Sequence, residues 1–452
     1  MIMKKSRKLC SVLALVMAFS MLASGCSKEG GENAEGSETS VVNVIGADSE
    51  STEGTILTDD NGEVVTGVNG NPLTEPAETT TMDPAQTLSN EDILNAITGT
   101  QATEAPVINK VDSSVRYGYS TLSAEEKKLY DDIVKGVESL SYKICEEDAY
   151  SLETWAKVYG MVFTQEPQLF YMNSKVKVGK LFYLTKDTAA INEMQKSIDA
   201  VADKLVAEAN GKASTFEKLK VFHDYLVLNT TFQKKDDTYD YNESIYNAFG
   251  TGAAQGSIQC SGYAKSMLYL CDKAGIACMV VRGENDEGAS HAWNIVDVDG
   301  KWYNIDCTWD DPILTTANVK NIRYNYFLVP DSWIHQKTHF HINEKKMSSG
   351  KYLKYFDPPA CTESAENYFI KTGKVYNDQA SADAAIKAEI ERAAKDGSRT
   401  AQIMAGSKEV YDAIYGARMD YNTYSKTFSG VKGLKDECNE NMLLIEFDVV
   451  NE

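Results

Sequence analysis

The sequence has no apolar run of 18 or more residues after its first 25 positions, and this excludes a polytopic membrane protein. It has no block rich in Lys and Arg beyond the N-terminus, and its formal net charge is −21. Because nucleic-acid binding depends on cationic side chains that neutralise phosphates, nucleic acid is not expected as a partner. The nine cysteines include no C-x-x-C pair, so neither a zinc ribbon nor a disulfide scaffold is indicated.

Length and composition indicate a globular chain built from several parts. The chain has 452 residues, of which 43% are apolar and 25% are charged, and this length predicts two or three domains. We expect a signal peptide over residues 1–25, a disordered tether over 26–110, a mainly helical region over 111–210, a catalytic domain over 211–350, and a small α+β domain over 355–452.

The N-terminus is typical of an exported protein. Four basic residues precede an apolar stretch from Leu9 to Ala23, which is too short for a comfortable membrane span. The stretch runs into Ser24-Gly25-Cys26, small residues followed by a cysteine, as in a bacterial lipobox. This motif predicts that Cys26 is lipidated and anchors the protein to the outer face of the cell membrane, on a Gram-positive-type surface. The alternative is an ordinary secretory signal with an incidental cysteine.

The segment after the signal predicts a tether. Residues 28–110 hold 16 acidic and 2 basic residues and are rich in Gly, Ser and Thr, with almost no aromatic residues. Such a segment buries too little apolar surface to offset its chain entropy. We therefore expect it to stay solvated and to hold the folded part away from the membrane.

Two capping boxes mark helix starts in the region that follows. Ser123 and Glu126 open one helix, and Ser214 and Glu217 open another. After the first capping box, Leu129, Ile133, Val137 and Leu140 form an apolar stripe at helical spacing. Further helices are predicted over 151–163, 188–209, 381–395 and 407–417, a hairpin-like stretch over 175–185, and strands near 401–404 and 442–450.

Cys260 lies where a thiol can act as a nucleophile. A loop of small and polar residues precedes it, and apolar residues then recur at helical spacing from Ala264 to Cys271. Cys260 is therefore expected at or just inside a helix N-terminus, where the positive end of the helix dipole favours a thiolate. A thiolate suits covalent catalysis. The alternative is a small buried core residue.

A predicted hairpin brings a histidine and an acid together. Asp299-Gly300 is a two-residue turn of the kind that joins hairpin strands, so Val298 should face Lys301, Trp293 should face Asp306, and His291 should face Thr308. His291 and Asp306 are then diagonal neighbours on one face of the sheet, roughly 7–8 Å apart at the backbone. That separation allows a hydrogen bond between the carboxylate and the imidazole.

A thiol at a helix start with a nearby His and Asp follows the logic of a Cys-His-Asp triad. Asp306 would orient His291, and His291 would take the Cys260 proton and later protonate the leaving amine. The backbone N–H of Cys260 is the expected oxyanion donor, with the side chain of Gln255 or Gln259 as a candidate second donor. The residues alone leave structural roles for all three triad positions open.

Three sequence blocks carry a family resemblance. Cys260-Ser-Gly-Tyr-Ala, His291-Ala-Trp-Asn and Asn304-Ile-Asp306-Cys-Thr-Trp-Asp-Asp-Pro resemble, in order and spacing, the signature blocks of the transglutaminase-like superfamily. The resemblance covers about residues 215–345. It implies an α+β fold with a papain-like core, in which the nucleophile helix packs against an antiparallel sheet that bears His and Asp, and it implies the triad Cys260, His291 and Asp306. Calcium dependence is not implied, because the additional β-domains of the animal enzymes are missing.

The remaining candidates have weaker signals. His335, His339 and His341 could suggest a metal site, but no fourth donor or defined element is evident, so neither a metal nor another cofactor is expected. His223 falls on the apolar stripe of its helix and is expected in the core. Trp293 is expected to pack the sheet, and lining of the substrate cleft is the alternative. Cys278 and Cys307 could form a disulfide if their strands are adjacent.

Together these features predict a membrane-anchored extracellular cysteine enzyme that acts on amides through an acyl-thioester. Its substrate would be extracellular protein, peptide or cell-wall peptide, and bacterial members of the superfamily favour hydrolysis over crosslinking. The alternative is a catalytically silent cell-surface binding or cell-wall-interaction module on the same fold. An intact triad argues against that alternative, since a binding module does not need all three groups.

Overall fold

The computed structural model describes residues 105–232, 241–250, 256–284, 290–311, 321–334, 344–346 and 352–451. The predicted signal peptide with Cys26, nearly all of the predicted tether, Gln255 and the three histidines of 335–341 lie outside the described residues. No helix in the described ranges is both long enough and apolar enough to cross a membrane.

Five helices precede the first strand of the described chain, and strands and helices are interspersed after it. The helices are α1 Tyr117–Ser120, α2 Ala124–Glu138, α3 Leu152–Gln165, α4 Thr188–Asn210, α5 Thr215–Asn229, α6 Ile245–Phe249, α7 Cys260–Ala274, α8 Cys307–Asp310, α9 Asp331–Ile334, α10 Tyr368–Lys371, α11 Gln379–Asp396, α12 Lys408–Gly416 and α13 Arg418–Ser425. The strands are β1 Thr231–Phe232, β2 Ser257–Ile258, β3 Cys278–Glu284, β4 Ser290–Val298, β5 Lys301–Ile305, β6 Phe327–Val329, β7 Glu344–Lys346, β8 Tyr352–Lys354, β9 Val375–Tyr376, β10 Thr400–Ala405, β11 Val431–Asp436 and β12 Leu444–Asn451.

Both predicted capping boxes are present. At the start of α2 the Ser123 hydroxyl accepts from the Glu126 N–H, and the Glu126 carboxylate accepts from the Ser123 N–H at 2.9 Å. Ser214 and Glu217 form the same reciprocal pair at the start of α5. The predicted apolar stripe of α2 is buried, which confirms that the helical spacing marks the face that packs on the core. The stretch over 175–185 forms isolated bridges rather than the predicted hairpin-like ladder.

The sheet that carries the candidate site has the strand order β3-β4-β5-β6, with antiparallel neighbours throughout. Helix α7 packs on β4, where the Asn294 side-chain amide donates to the Ala264 carbonyl at 2.8 Å. One hydrophobic core extends from α2 through α7 into this sheet. The arrangement is α+β, as predicted.

The β4–β5 hairpin has the predicted turn. Asp299 and Gly300 both have positive φ, 53° and 82°, as a type I′ turn requires. The predicted register is confirmed from Val298–Lys301 to Asn294–Ile305. Beyond that point the prediction was wrong: Trp293 does not face Asp306, and His291 does not face Thr308. The chain leaves the sheet at Asp306, which becomes the N-cap residue of α8.

The C-terminal elements form a second sheet with the order β11-β12-β10-β9, covered by α11, α12 and α13. The predicted helices and strands of this region are present, each within two residues of its predicted bounds. Ile386 and Ile390 of α11 pack with Ile403, Ile445 and Phe447 of the sheet in a separate apolar cluster.

Residues 321–326, here called the bridging segment, run between the two sheets. The Arg323 guanidinium lies 2.6 Å from the Glu446 carboxylate on β12. The next side chain points the other way: the Tyr324 hydroxyl donates to Asp224 on α5 at 3.0 Å. The segment therefore contacts the C-terminal sheet on one side and the helices behind the candidate site on the other.

Candidate active site

Cys260 is the first residue of α7 and is half-buried. The helix starts there because the extended residue Gln259 presents its carbonyl to the N–H groups of Gly262 (2.8 Å) and Tyr263 (3.1 Å). A Cβ atom at Gly262 would lie 2.7 Å from the Asn242 carbonyl oxygen, so a glycine is required for this turn to pack against the neighbouring backbone. The structure thus places Cys260 at a helix N-terminus, as the sequence predicts.

His291 and Asp306 are in direct contact. His291 lies near the start of β4, and its Nε2 is 2.6 Å from Asp306 Oδ2. The Asp306 side chain is 1% exposed and the His291 side chain 12% exposed, so water weakens this pair little. The predicted carboxylate–imidazole hydrogen bond is present, although Asp306 reaches it from outside the strand.

The Asp306 carboxylate is held by a second set of contacts. Its Oδ1 accepts from the backbone N–H groups of Thr308 (2.9 Å) and Trp309 (3.2 Å) at the start of α8. These bonds fix the carboxylate in one orientation and leave Oδ2 for the imidazole. One side chain therefore ends the strand, begins the helix and orients His291.

The Cys260 thiol also acts on His291, since it helps to raise the pKa of the imidazole. Because Asp306 engages Nε2, Nδ1 is the ring nitrogen left for the sulfur. Burial by itself would lower the pKa of His291, but the Asp306 carboxylate outweighs it, and the thiol adds to the effect, so the pKa rises to about 10. The imidazole is therefore protonated at neutral pH and can pair with a thiolate.

Two tryptophans pack around the His291 ring. Trp293 stacks on it with centroids 5.8 Å apart, and Trp309 meets it edge-on at 6.0 Å. The Trp293 side chain is 1% exposed and donates to Asn304 at 3.0 Å. This burial favours the interpretation that Trp293 packs the sheet and supports the imidazole from behind, rather than lining an open cleft.

A second histidine, buried in the core, supports α8 through a contact with one of its acidic side chains. His223 is fully buried on α5, as predicted for a core residue, and its Nε2 lies 3.0 Å from Asp310 Oδ2. Its Nδ1 lies 3.2 Å from Asp224, while Asp310 also accepts from the Tyr326 N–H at 3.0 Å. Sequence reasoning missed this contact, and its signal was the acidic pair Asp310-Asp311 within the third signature block.

One of the expected oxyanion donors lies at the start of α7. The Cys260 N–H is one of the N–H groups at the start of α7 that have no acceptor within the helix, as an oxyanion donor requires. The Gln259 side chain makes no capping hydrogen bond. Gln255 lies outside the described residues, so the choice between these glutamines stays a prediction.

The other cysteines are free thiols. Cys145, Cys271, Cys278, Cys307, Cys361 and Cys438 are all unpaired, like Cys260. The proposed disulfide between Cys278 and Cys307 is therefore wrong; the Cys278 sulfur instead accepts from the Asn294 amide at 3.5 Å. Within the described ranges, no group of three or more His, Cys, Asp or Glu side chains is placed to hold a metal ion.

Comparison with known proteins identifies the segment that carries this site. Residues 199–307 match the profile of the transglutaminase-like superfamily. The human kyphoscoliosis peptidase is 32% identical over 133 residues, which cover 26% of this chain and 19% of the relative, and the mouse protein is 31% identical over the same length. The chain thus spans about a fifth of the length of these curated relatives.

Solved structures align with a similar share of the chain. A transglutaminase (TGase) structure is 26% identical and covers 27% of this chain and 33% of its own, with a TM-score of 0.22. The periplasmic domain of TgpA from Pseudomonas aeruginosa is 13% identical and covers 31% of this chain and 60% of its own, with a TM-score of 0.20. The profile match lies on the nucleophile helix and the hairpin described above. The similarity to the transglutaminase-like superfamily therefore lies in residues 199–307, the part of the chain that carries Cys260, His291 and Asp306.

Proposed function

We propose that this chain is an exported, lipid-anchored cysteine enzyme that hydrolyses amide bonds in extracellular protein, peptide or cell-wall peptide. The observation that carries the proposal is the 2.6 Å contact between Asp306 and His291, together with the position of the Cys260 thiol at the start of a helix. This is the arrangement in which a thiol is activated by a base that a third group orients.

The reaction follows from these positions. The Cys260 thiolate attacks the amide carbonyl carbon, and the Cys260 N–H donates to the oxyanion that forms. The His291 imidazolium gives its proton to the amide nitrogen, the C–N bond breaks, and an acyl-thioester and a free amine result. Neutral His291 then takes a proton from water, whose oxygen attacks the thioester. The acid leaves, and the thiolate–imidazolium pair is restored.

The acceptor of the acyl group decides between two activities. Water makes the enzyme a peptidase or amidase, and an amine makes it a crosslinker. The curated relatives at 32% and 31% identity are both named as peptidases, which supports hydrolysis. A quenched peptide library and a fluorescent primary amine, offered together, separate the outcomes: peptide cleavage supports hydrolysis, and incorporation of the amine into protein refutes it.

The first test of the triad is the alkylation rate of Cys260 by iodoacetamide as a function of pH, read by peptide mass mapping. We expect Cys260 to react rapidly at pH 6 to 7, and His291→Ala to abolish that reaction. Cys145, a half-buried thiol in the same chain, serves as the internal control and should not respond to the substitution. If Cys260 is inert, or indifferent to His291, the enzyme proposal fails and the binding-module alternative replaces it.

The anchor is tested separately. Cys26→Ala should release the protein from the membrane fraction into the medium and abolish incorporation of labelled fatty acid. Cys10→Ala, which changes a cysteine inside the predicted signal peptide, is the matched control and should stay anchored. Retention of the Cys26→Ala protein at the membrane would show that another part of the chain holds it there.

A further inference from the structure

Two cationic side chains, one on α7 and one on β3, form no ion pair within the described residues. Lys265, on α7, is 2% exposed, and Arg282, on β3, is half-buried. Across the described part of the chain, no carboxylate lies within salt-bridge distance of either nitrogen group. Burying a charge without a counter-charge is costly, so this pair of cations has to be explained.

Each cation contacts an aromatic ring instead. Lys265 Nζ lies 3.8 Å from the centre of the Phe163 ring, and the Arg282 guanidinium carbon lies 5.6 Å from that of Tyr355. Phe163 lies on α3, and the Tyr355 ring packs against the same helix one turn earlier, since a Cβ at Gly160 would be 2.6 Å from that ring. Cation–π contacts offset part of the desolvation cost and leave the positive charge available to an anion.

Strand pairing places Arg282 on the face of the sheet that packs against α7. It pairs with Ala292, the residue after His291, and shares its face of the sheet with Asn294. That is the face that packs on the first turns of α7, through the Asn294–Ala264 hydrogen bond. Burial lowers the pKa of Arg282, but its surroundings raise it overall, and the Cys260 thiolate is one of the groups responsible. The strand pairing and the Asn294–Ala264 hydrogen bond therefore place Arg282 on the side of the sheet where the first turns of α7 lie.

The two cations also affect each other. Burial lowers the pKa of Lys265 to about 8, while Glu243 acts to raise it and Arg282 acts to lower it further. Lys265 therefore still carries its charge at pH 7, in the field of a second positive charge. Glu243 acts on both cations but forms an ion pair with neither. An added anion would relieve this mutual repulsion.

We propose that Arg282, backed by Lys265, forms a carboxylate-binding subsite next to Cys260, so that the enzyme selects amide substrates with a carboxylate beside the bond that is cleaved. This assignment rests on the proposed amide-cleaving function. Arg282 is the reachable member, and its planar fork matches a carboxylate in a bidentate manner. Lys265, behind it, adds charge without touching the substrate.

Two small alkylating reagents test the subsite without a known substrate. Iodoacetate and iodoacetamide deliver the same carbon to Cys260, but only iodoacetate carries a carboxylate. We expect the ratio of their rate constants at Cys260 to fall about tenfold in Arg282→Gln, as expected for loss of one charge near the reacting carbon, and to fall further in Arg282→Gln/Lys265→Met. Arg282→Lys, which keeps the charge, should retain most of the ratio. Arg418→Gln, on α13, is the matched control and should match the parent.

The outcomes separate this inference from the proposed function. A ratio within twofold of the parent in Arg282→Gln overturns the subsite, provided that iodoacetamide still alkylates Cys260. Loss of iodoacetamide reactivity in the parent itself overturns the proposed function, and the subsite with it. Thermal unfolding shows whether each variant folds. Lys265→Met should unfold at a higher temperature than the parent, because it removes a buried charge without stranding a partner.

Two further probe pairs locate the carboxylate on the substrate. Peptidyl vinyl sulfones ending in Glu or Gln place the charge on the acyl side, as a side chain. Bromoacetyl-glycine and bromoacetyl-glycinamide place it on the leaving side, as a chain terminus. The pair whose preference for the acid depends on Arg282 identifies the source. Absence of such a preference in both pairs overturns the role of Arg282 in substrate recognition.

Discussion

Asp306→Asn separates the two tasks of the Asp306 side chain. The asparagine Oδ1 can still accept from Thr308 and Trp309, so α8 should keep its cap. Its amide cannot accept from His291 Nε2–H, and the negative charge is lost. Burial, which lowers the pKa of His291, is then no longer opposed by Asp306, and the pKa should fall from about 10 to below the ordinary value of about 6.5. The rise from about 6.5 to about 10 corresponds to about 5 kcal/mol of favourable interaction with the imidazolium, to which both Asp306 and the Cys260 thiol contribute.

The effect on Cys260 follows from the protonation of His291. At pH 7 an ordinary thiol is only about 3% thiolate, so loss of the imidazolium should slow alkylation of Cys260 by up to about 30-fold. Turnover of an amide substrate should fall further, by about 10³ to 10⁴, because the remaining tautomer cannot both accept the thiol proton and protonate the leaving amine. Asp297→Asn, on β4 with His291, is the matched control and should leave both rates unchanged.

The same contact predicts how stability depends on pH. The pKa of His291 is raised on folding, so the Asp306–His291 contact stabilises the fold fully below about pH 6.5 and is lost as the pH rises towards about 10. Urea unfolding of the parent should show this decline, and Asp306→Asn should lack it. The reasoning is refuted if His291 in Asp306→Asn still titrates near pH 10 by NMR, or if Cys260 alkylation stays within threefold of the parent.

Three more substitutions test the supporting structure. Gly262→Ala places a Cβ 2.7 Å from the Asn242 carbonyl oxygen and should slow Cys260 alkylation at least tenfold, whereas Gly416→Ala, where nothing lies within 4 Å, should not. His223→Asn removes the partner of the buried Asp310 carboxylate and should lower the free energy of unfolding by about 3 to 5 kcal/mol in urea titrations; a loss below 1 kcal/mol would show that the contact is dispensable. Arg323→Gln should lower the free energy of unfolding by a similar amount at pH 8, because it leaves the Glu446 carboxylate buried and unpaired. The loss should be smaller at pH 6. Burial raises the pKa of Glu446 to about 7 even beside Arg323, so at pH 6 the carboxyl binds a proton.

Local patterns carried much of the fold. The capping boxes gave the starts of α2 and α5, and the Asp-Gly turn gave the register of the β4–β5 hairpin as far as Asn294–Ile305. The proximity of His291 and Asp306 followed from that register. These features depend on residues close in sequence, whose geometry the local chemistry determines.

The two misses have different physical causes. The strand pattern could not show that Asp306 leaves the sheet, because its contacts with Thr308 and Trp309 offer the backbone an alternative to continuing the ladder. The apolar stripe placed His223 in the core but not against Asp310, 87 residues away. A periodicity reports which face is buried and contains no information about which distant side chain lies there.

The alternation of side chains along the bridging segment joins the two sheets mechanically. Arg323 and Asn325 hold Glu446 of the C-terminal sheet, while the Tyr326 carbonyl accepts from the Asp306 N–H at 3.1 Å. The short bridging segment therefore connects the backbone of Asp306, which orients His291, to β12. A fragment that ends near residue 350 would keep every proposed catalytic residue. It would lose the C-terminal sheet that the bridging segment contacts. For recombinant work on the catalytic core, the smallest competent unit is expected to extend through residue 451.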